Sequence, residues 1–195
     1  MKLSASFYER KDVVKIAREL LGKALFTNIR GVITGGLIVE TEAYSYRERG
    51  CHAFGSKMTS RNAVMFGSGG HAYVYLCYGM HHLFNVVTNE EGVAEAVLIR
   101  SLQPLVGAEE MSLRRNNKGS FQLTSGPGKL SKALGIDRTF NGKSLLHDDV
   151  WIEESGMHIT KKQIVATPRI GIDYAGEDAK LPWRFTITGN PWISH

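Results

Sequence analysis

The sequence predicts one domain of mixed α and β structure, and three observations point to it. Apolar residues at helical spacing from Val13 to Leu21 indicate a helix, and several β-branched apolar runs indicate strands. No repeat, low-complexity tract or Pro/Ser-rich linker divides the chain. Its 195 residues suit a single domain with a sizeable core. We therefore expect residues 1–195 to form one domain.

The first predicted elements lie near the N-terminus. Asp12 is a suitable N-cap for a helix that runs to Leu21, and Gly22 follows as the residue that ends it. Residues 6–9, Ser-Phe-Tyr-Glu, fit a capping box, which indicates a preceding helical turn.

Two strands follow, Lys23–Thr27 and Val32–Ala43, joined through Asn28–Gly31. The pair Gly35-Gly36 within the second strand indicates a bulge or a close approach of another backbone.

A β-hairpin is predicted over His71–Val87. Tyr78-Gly79 is its turn, since glycine tolerates the positive φ that tight hairpins need. Tyr73 and Tyr75 would share one face of the first strand. The predicted later elements are a strand over Ala94–Leu102, a helix from Pro104 to about Arg115, a loop and short helix within Thr124–Gly135, and strand-like structure over Val150–Ile193.

Composition limits the class of protein. The net charge of +5 and the pI near 9.2 favour acidic partners, of which nucleic acid is the commonest. No apolar run approaches the ~20 residues that span a bilayer, and the first residues lack the apolar core of a signal peptide. The two cysteines fit a reducing compartment. We expect a soluble, cytoplasmic protein.

The stretch Leu37–Tyr46 combines acidic and aromatic residues. In an extended chain Glu40, Glu42, Tyr44 and Tyr46 would point the same way, after an apolar run. This pattern is compatible with a catalytic edge and also with an ordinary solvent-facing strand. Either carboxylate could act as a general base, with Arg100 as the opposite charge.

Other candidate groups also have two interpretations. The hairpin tyrosines could stack on bases or simply pack in a core, whereas Tyr78 beside the turn glycine is expected to be exposed and could wedge between base steps. Lys129 could approach a DNA phosphate at a helix start, or belong to a plain loop-to-helix junction. The histidines and cysteines do not have the spacing of a zinc ligand set, so we predict no metal site.

Several stretches together resemble the 3-methyladenine DNA glycosylases of the alkyladenine, or N-methylpurine, family in its compact bacterial form. The resemblance covers nearly the whole chain from about Ile16. It is carried by Val39–Tyr44, Arg61-Asn62 with Met65-Phe66, Tyr73–Met80, Ala96–Arg100, Thr124–Leu130, Arg169–Gly171, Ala175–Glu177 and Asn190–Ser194. It implies a mixed α+β fold with a curved, mainly antiparallel sheet, a protruding β-hairpin and surrounding helices. That fold is similar to the C-terminal domain of methionyl-tRNA formyltransferase.

The resemblance also implies roles for particular residues. Glu42 matches the base that activates water, and Arg100 matches the arginine beside that water. Tyr78 matches the residue that fills the space left by the flipped nucleotide. Arg61 and Lys129 are candidates for contact with the DNA backbone. The implied base pocket consists of Tyr44, His52, Tyr75, Asn85 and Leu98.

The implied activity is monofunctional base excision from double-stranded DNA without lyase activity, a metal or an organic cofactor. The implied bases are 3-methyladenine, 7-methylguanine, hypoxanthine and ethenoadenine. We expect a monomer associated with the nucleoid. Two alternatives stay open at this stage: a catalytically idle nucleic-acid-binding domain, and a hydrolase of free nucleosides.

Overall fold

Eight strands form one antiparallel sheet in the computed structural model, which describes residues 1–194. The strands are β1 (Ala24–Ile29), β2 (Val32–Ser45), β3 (Ala72–Cys77), β4 (His81–Thr88), β5 (Glu95–Val106), β6 (Val150–Glu153), β7 (Ile164–Thr167) and β8 (Arg184–Ile187). Strands β3, β4, β5, β2, β1 and β6 lie side by side in that order, β8 pairs with β2, and β7 pairs with β8. The predicted mixed fold with an antiparallel sheet is confirmed, whereas the likeness to the formyltransferase domain stays a prediction.

Short helices surround this sheet. The α-helices are α1 (Ala5–Tyr8), α2 (Val13–Glu19), α3 (Ala108–Arg114) and α4 (Pro127–Leu134), and the 3₁₀ helices cover Phe54–Ser56, Ala63–Phe66, Ser120–Gln122, Arg138–Phe140, Lys161–Gln163 and Asp173–Lys180. The carboxylate of Asp12 accepts the Lys15 N–H at 2.9 Å, which confirms the predicted cap of α2. The predicted capping box at Ser6 is wrong, because Ser6 lies inside α1 and Ser4 is its N-cap.

The glycine pair in β2 marks a close approach of neighbouring strands, as predicted. A Cβ on Gly35 would lie 2.2 Å from Phe26 Cδ1, and one on Gly36 would lie 2.4 Å from the Gln103 carbonyl oxygen. The register of β2 against β5 also shifts between these two glycines. Any side chain here would push β2 away from β1 and β5.

The prediction that Pro104 opens a helix is wrong. Strand β5 continues through Pro104 to Val106, and α3 begins only at Ala108. Pro104 lies opposite Gly36, beside the register shift, where a residue without an N–H is tolerated in a strand. Gly107, with φ of +74°, turns the chain into α3.

The predicted strand-like structure over Val150–Ile193 is only partly present. It contains β6, β7 and β8, each of four residues, separated by turns and 3₁₀ helices. The predicted hairpin is confirmed as β3 and β4. Its tip contains Tyr78 and Gly79 at φ of 49° and 68°.

The buried apolar residues form two clusters. The larger one packs the helices against the sheet and includes Ile16, Leu20, Ile38, Ile99 and Leu130. The smaller one lies under the loop after β2 and is built from Cys51, Ala53, Met65, Phe66, Tyr73, Val87, Ala94 and Ala96, with Tyr44 and Tyr75 packed against it. This smaller cluster supports the aromatic wall of the candidate site.

Candidate active site: two buried carboxylates behind an aromatic cavity

Strand β2 changes its partner where its two glutamates lie. Its first half pairs with β1, whereas Glu40, Thr41 and Glu42 pair with β8. The register against β5 shifts on both sides of Glu40. In this geometry both glutamates contact Arg100 of β5, so they lie on one side as the sequence predicted.

Glu40 accepts five hydrogen bonds, and its side chain is fully buried. The donors are Arg100 Nε at 3.0 Å, Arg184 Nε at 2.7 Å, Ser101 Oγ at 2.9 Å, and Ser194 N and Oγ at 2.7 and 2.8 Å. Burial pushes the pKa of Glu40 upward, but Arg100, the Ser194 N–H and Arg184 hold it below its ordinary value. A carboxylate has about four acceptor positions, so Glu40 is saturated by protein groups.

Glu42 is equally buried but has fewer partners. Its Oε2 accepts the Tyr44 hydroxyl at 2.8 Å and forms an ion pair with Arg100 Nη1 at 3.3 Å. Its Oε1 accepts the N–H of Ile170 at 2.8 Å. No other group among residues 1–194 donates to Oε1, which leaves an acceptor position open.

Ile170 is held in place by the arginine before it. Arg169 forms a bidentate ion pair with Glu48, with both N–O distances 2.7 Å. Its guanidinium also donates to the Ala43 carbonyl at 2.9 Å and lies 4.7 Å from the Tyr44 ring centroid. Both charged side chains are buried, so this pair ties the segment after β7 to the end of β2. The Ile170 N–H is thereby directed at Glu42.

An open cavity of about 860 Å³ lies in front of Glu42. Tyr44, Arg100 and Ile170 line it, and these are the three residues that hold the Glu42 carboxylate. Glu42 itself therefore lies directly behind the cavity wall. Burial, followed by the charge of Glu42, raises the pKa of Tyr44 well above its ordinary value, so its phenol stays a hydrogen-bond donor.

His52, Tyr73 and Tyr75 form an aromatic cluster on the cavity wall. The His52 ring meets Tyr75 edge-on at 4.6 Å between centroids, and Tyr73 and Tyr75 are tilted at 5.4 Å. His52 Nδ1 and the Tyr73 hydroxyl are hydrogen-bonded at 2.9 Å. Burial, with a smaller contribution from Arg61, lowers the pKa of His52 to about 4, so its imidazole is neutral at pH 7.

Asn85 and Leu98 face each other across β4 and β5, and both line the cavity. The Asn85 amide donates to the Tyr73 carbonyl at 3.1 Å, which fixes its orientation against the cavity. Tyr46, which the sequence placed on the same face as Tyr44, follows the end of β2 and does not line the cavity.

Tyr78 lies at the tip of the β3–β4 hairpin and is 84% exposed. Met80 beside it is 72% exposed, so the tip presents apolar surface to solvent. The positive φ of Tyr78 is uncommon for a bulky residue, and the tight hairpin turn requires it. Tyr78 also borders the cavity mouth.

The two predicted backbone-contact residues both border the cavity. Lys129 lies on α4 with an exposed side chain. The Arg61 guanidinium lies 5.3 Å from the ring centroid of Tyr75. Whether either residue contacts phosphate stays a prediction.

Sequence reasoning missed several residues of this site. Arg184 and Ser194 complete the partners of Glu40, and the pair Arg169–Glu48 directs the Ile170 N–H. Arg169–Gly171 and Asn190–Ser194 belong to the motifs of the family resemblance but received no individual role. Within the described range, no group of three or more His, Cys, Asp or Glu residues could hold a metal ion. No helix there is long and apolar enough to cross a membrane.

Comparison with known proteins shows the family of this chain. Residues 6–191 match the methylpurine-DNA glycosylase family, so the chain belongs to this family and is a DNA glycosylase. A protein of Alkaliphilus oremlandii (strain OhILAs) is 44% identical over 203 residues, and one of Bacillus cereus (strain G9842) is 46% identical over 204 residues. Each comparison covers 100% of this chain and 99% of the relative, and both relatives are provisionally named 3-methyladenine DNA glycosylase. DNA is therefore the substrate polymer.

Proposed function

We propose that this chain is a monofunctional glycosylase that flips damaged purines out of duplex DNA and hydrolyses their N-glycosidic bond. The candidate bases are 3-methyladenine, 7-methylguanine, hypoxanthine and ethenoadenine. One observation carries the proposal: the buried Glu42 carboxylate lies behind an aromatic cavity and keeps one acceptor position open. Its neighbour Glu40 has no such position.

The cavity suits a flipped purine. Stacking on aromatic side chains contributes about 1–3 kcal/mol per base, and Tyr44, His52 and Tyr75 line the cavity. Asn85 and Leu98 border the same space and would meet the edges of the base. A base must leave the helix to reach Glu42, because the carboxylate is fully buried.

The chemistry follows from charge development on the sugar. As the bond between C1′ and the base nitrogen lengthens, its electron pair moves to the base and C1′ becomes oxocarbenium-like. The negative charge of Glu42 stabilises this carbon. A water attacks C1′ and transfers its proton to Glu42 Oε1, the atom with the open acceptor position. Arg100 and Tyr44 hold the carboxylate in position before the attack.

Tyr78 is proposed to enter the duplex where the flipped nucleotide was. Its exposed position at a protruding tip bordering the cavity supports this role. Unstacking a base costs a few kcal/mol, and an inserted aromatic ring offsets part of that cost. The chain is proposed to act as a monomer.

The test is base release from purified protein. Duplex oligonucleotides with one hypoxanthine or one 7-methylguanine are incubated with wild type and with Glu42→Gln, and free base and strand breaks are measured separately. We expect wild type to release the base and leave an abasic site without a break. Glu42→Gln should bind the duplex but release no base, whereas Glu177→Gln, which removes an exposed carboxylate, should match wild type.

The same experiment decides between the alternatives. Binding without release by wild type would favour an idle DNA-binding domain, and faster release from inosine or 7-methylguanosine than from duplex would favour a nucleoside hydrolase. Lys129 is the one lysine bordering the cavity within residues 1–194. Borohydride trapping of a protein–DNA adduct, lost in Lys129→Met, would contradict the monofunctional reaction.

A further inference from the structure

A solvent-exposed positive charge lies on the wall of the proposed base pocket. The Arg61 guanidinium is 5.3 Å from the Tyr75 ring centroid, in the range of a cation–π contact, and Arg61 lines the cavity. Its charge opposes protonation of His52 and favours ionisation of Tyr73, in both cases less strongly than burial acts on the pKa of the group, so it acts on two members of the aromatic cluster. The aromatic wall therefore holds a cation before any base arrives.

This charge is not neutralised by an acidic partner. Within residues 1–194, the ion pairs of the site join Arg100, Arg169 and Arg184 to glutamates, and none includes Arg61. The two buried carboxylates behind the cavity, Glu40 and Glu42, are both paired with Arg100. A full positive charge thus faces the cavity.

The backbone beside Arg61 is firmly held. The buried Asn62 amide donates to the carbonyls of His52 and Lys57 at 2.8 and 3.0 Å, and its oxygen accepts the Thr59 N–H at 2.7 Å. These hydrogen bonds connect the segment that contains Arg61 to the segment that contains His52. The guanidinium is therefore mounted close to the pocket rather than on a long mobile segment.

The damaged purines proposed as substrates fall into two electrostatic classes. Purines alkylated at N3 or N7 are cationic while attached to DNA, whereas hypoxanthine and ethenoadenine are neutral. A cationic base gains from a tyrosine face only if that face is not already used by another cation, and two cations in a partly dry cavity repel each other. A neutral base meets no such repulsion.

We infer that Arg61 is a specificity-determining residue, which disfavours cationic damaged purines relative to neutral ones by placing its charge on Tyr75. The inference rests on the proposed function, since it concerns bases bound in the same cavity. It differs from the role in backbone contact predicted for Arg61, because a phosphate contact would affect all bases alike.

The test compares two duplexes that differ only in one base, 7-methylguanine or hypoxanthine. The quantity measured is the ratio of kcat/KM for 7-methylguanine to kcat/KM for hypoxanthine. Dividing the ratio of a variant by that of wild type cancels the intrinsic difference in leaving-group ability. We expect Arg61→Gln to raise this ratio by about two- to fivefold, the size of one cation–π contact at an exposed site, and Arg61→Lys to raise it less.

Arg47 offers a matched control. Its guanidinium lies 5.1 Å from the Tyr46 ring centroid, and neither of these residues lines the cavity. Arg47→Gln removes the same charge and a similar stacking contact, so we expect it to leave the ratio unchanged. A rise in the ratio for Arg47→Gln as large as that for Arg61→Gln would show a general charge effect and overturn the inference.

The remaining outcomes are also decisive. An equal loss on both duplexes with Arg61→Gln, together with a weaker salt dependence of binding, would make Arg61 a phosphate contact and overturn the inference. A fall in the ratio would overturn it as well. If wild type releases neither base, the proposed function is wrong and this inference is wrong with it. If both bases are released and Arg61→Gln leaves the ratio unchanged, only this inference is wrong.

Discussion

Two carboxylates on one strand, Glu40 and Glu42, have the same burial and share Arg100, yet their surroundings differ. Glu40 accepts bonds from two arginines and two serines and has no acceptor position left. Glu42 has one ion pair, one phenol and one backbone N–H, and its donors line a cavity. Burial of a charge alone therefore does not mark a catalytic group. We propose that the open acceptor position and the adjoining cavity are what distinguish the catalytic carboxylate.

The largest expected effect is on activity in Glu42→Gln. General-base catalysis and electrostatic stabilisation each contribute about 10²–10⁴ in rate, so we expect the single-turnover rate of base release to fall at least about 10³-fold. The amide keeps the shape of the carboxylate, and the thermal midpoint should stay close to that of wild type. A rate within tenfold of wild type would show that a group other than Glu42 acts as the general base.

Glu40→Gln should have the opposite effect to Glu42→Gln: it should lower stability more than activity. Removing this charge leaves Arg184 without its acidic partner and Arg100 with only Glu42, and breaking a buried pair costs about 3–5 kcal/mol. We expect urea unfolding to show a loss of stability of this order, with residual activity at low temperature. A stable but inactive Glu40→Gln would mean that the two carboxylates have been assigned the wrong way round.

A smaller effect is expected at the hairpin tip. Tyr78→Ala removes an exposed ring that does not pack in either apolar cluster, so stability should not change. We expect activity on duplex to fall by roughly tenfold, the size of one lost stacking contact, with a smaller loss on single strands. Tyr78→Phe should retain duplex activity. Equal losses on both substrates would argue against insertion into the duplex.

The smallest expected effect is the pH dependence of stability that arises from His52. The pKa of His52 is lowered to about 4 by burial and by Arg61, whereas an unfolded histidine titrates near about 6.5. Between these values the unfolded chain binds a proton that the folded chain does not, so stability falls as the pH drops from about 6.5 to about 4. The change should be modest, because part of the His52 side chain is exposed.

Urea unfolding at pH 7.5 and pH 5 checks this prediction. We expect wild type to lose more stability between the two pH values than His52→Gln, which has no titrating ring. An NMR titration of His52 would give the same answer directly. A pKa near or above that of an unfolded histidine would contradict the lowering of the His52 pKa by burial.

Much of the fold was predictable because its signals are local. Asp12 begins α2 by accepting an N–H three residues away, and Gly79 permits the positive φ of the hairpin turn. Pro127 starts α4 as its first residue, within the predicted loop and helix. The prediction that Pro104 opens a helix was wrong, because the structure around this proline depends on a partner far away in the sequence. It lies in β5 only because Gly36 and the register shift accommodate it.

The sequence by itself determined that Glu40, Glu42 and Tyr44 would lie together near an edge of a strand, because alternation in a strand needs only neighbouring residues. Alternation alone could not distinguish the two glutamates, and only the family resemblance favoured Glu42 as the base. That distinction depends on Ile170, Arg184 and Ser194, which lie 128, 144 and 154 residues from the glutamates they contact. Only the tertiary structure decided which carboxylate is saturated, because saturation is a property of donors that the folded chain brings together.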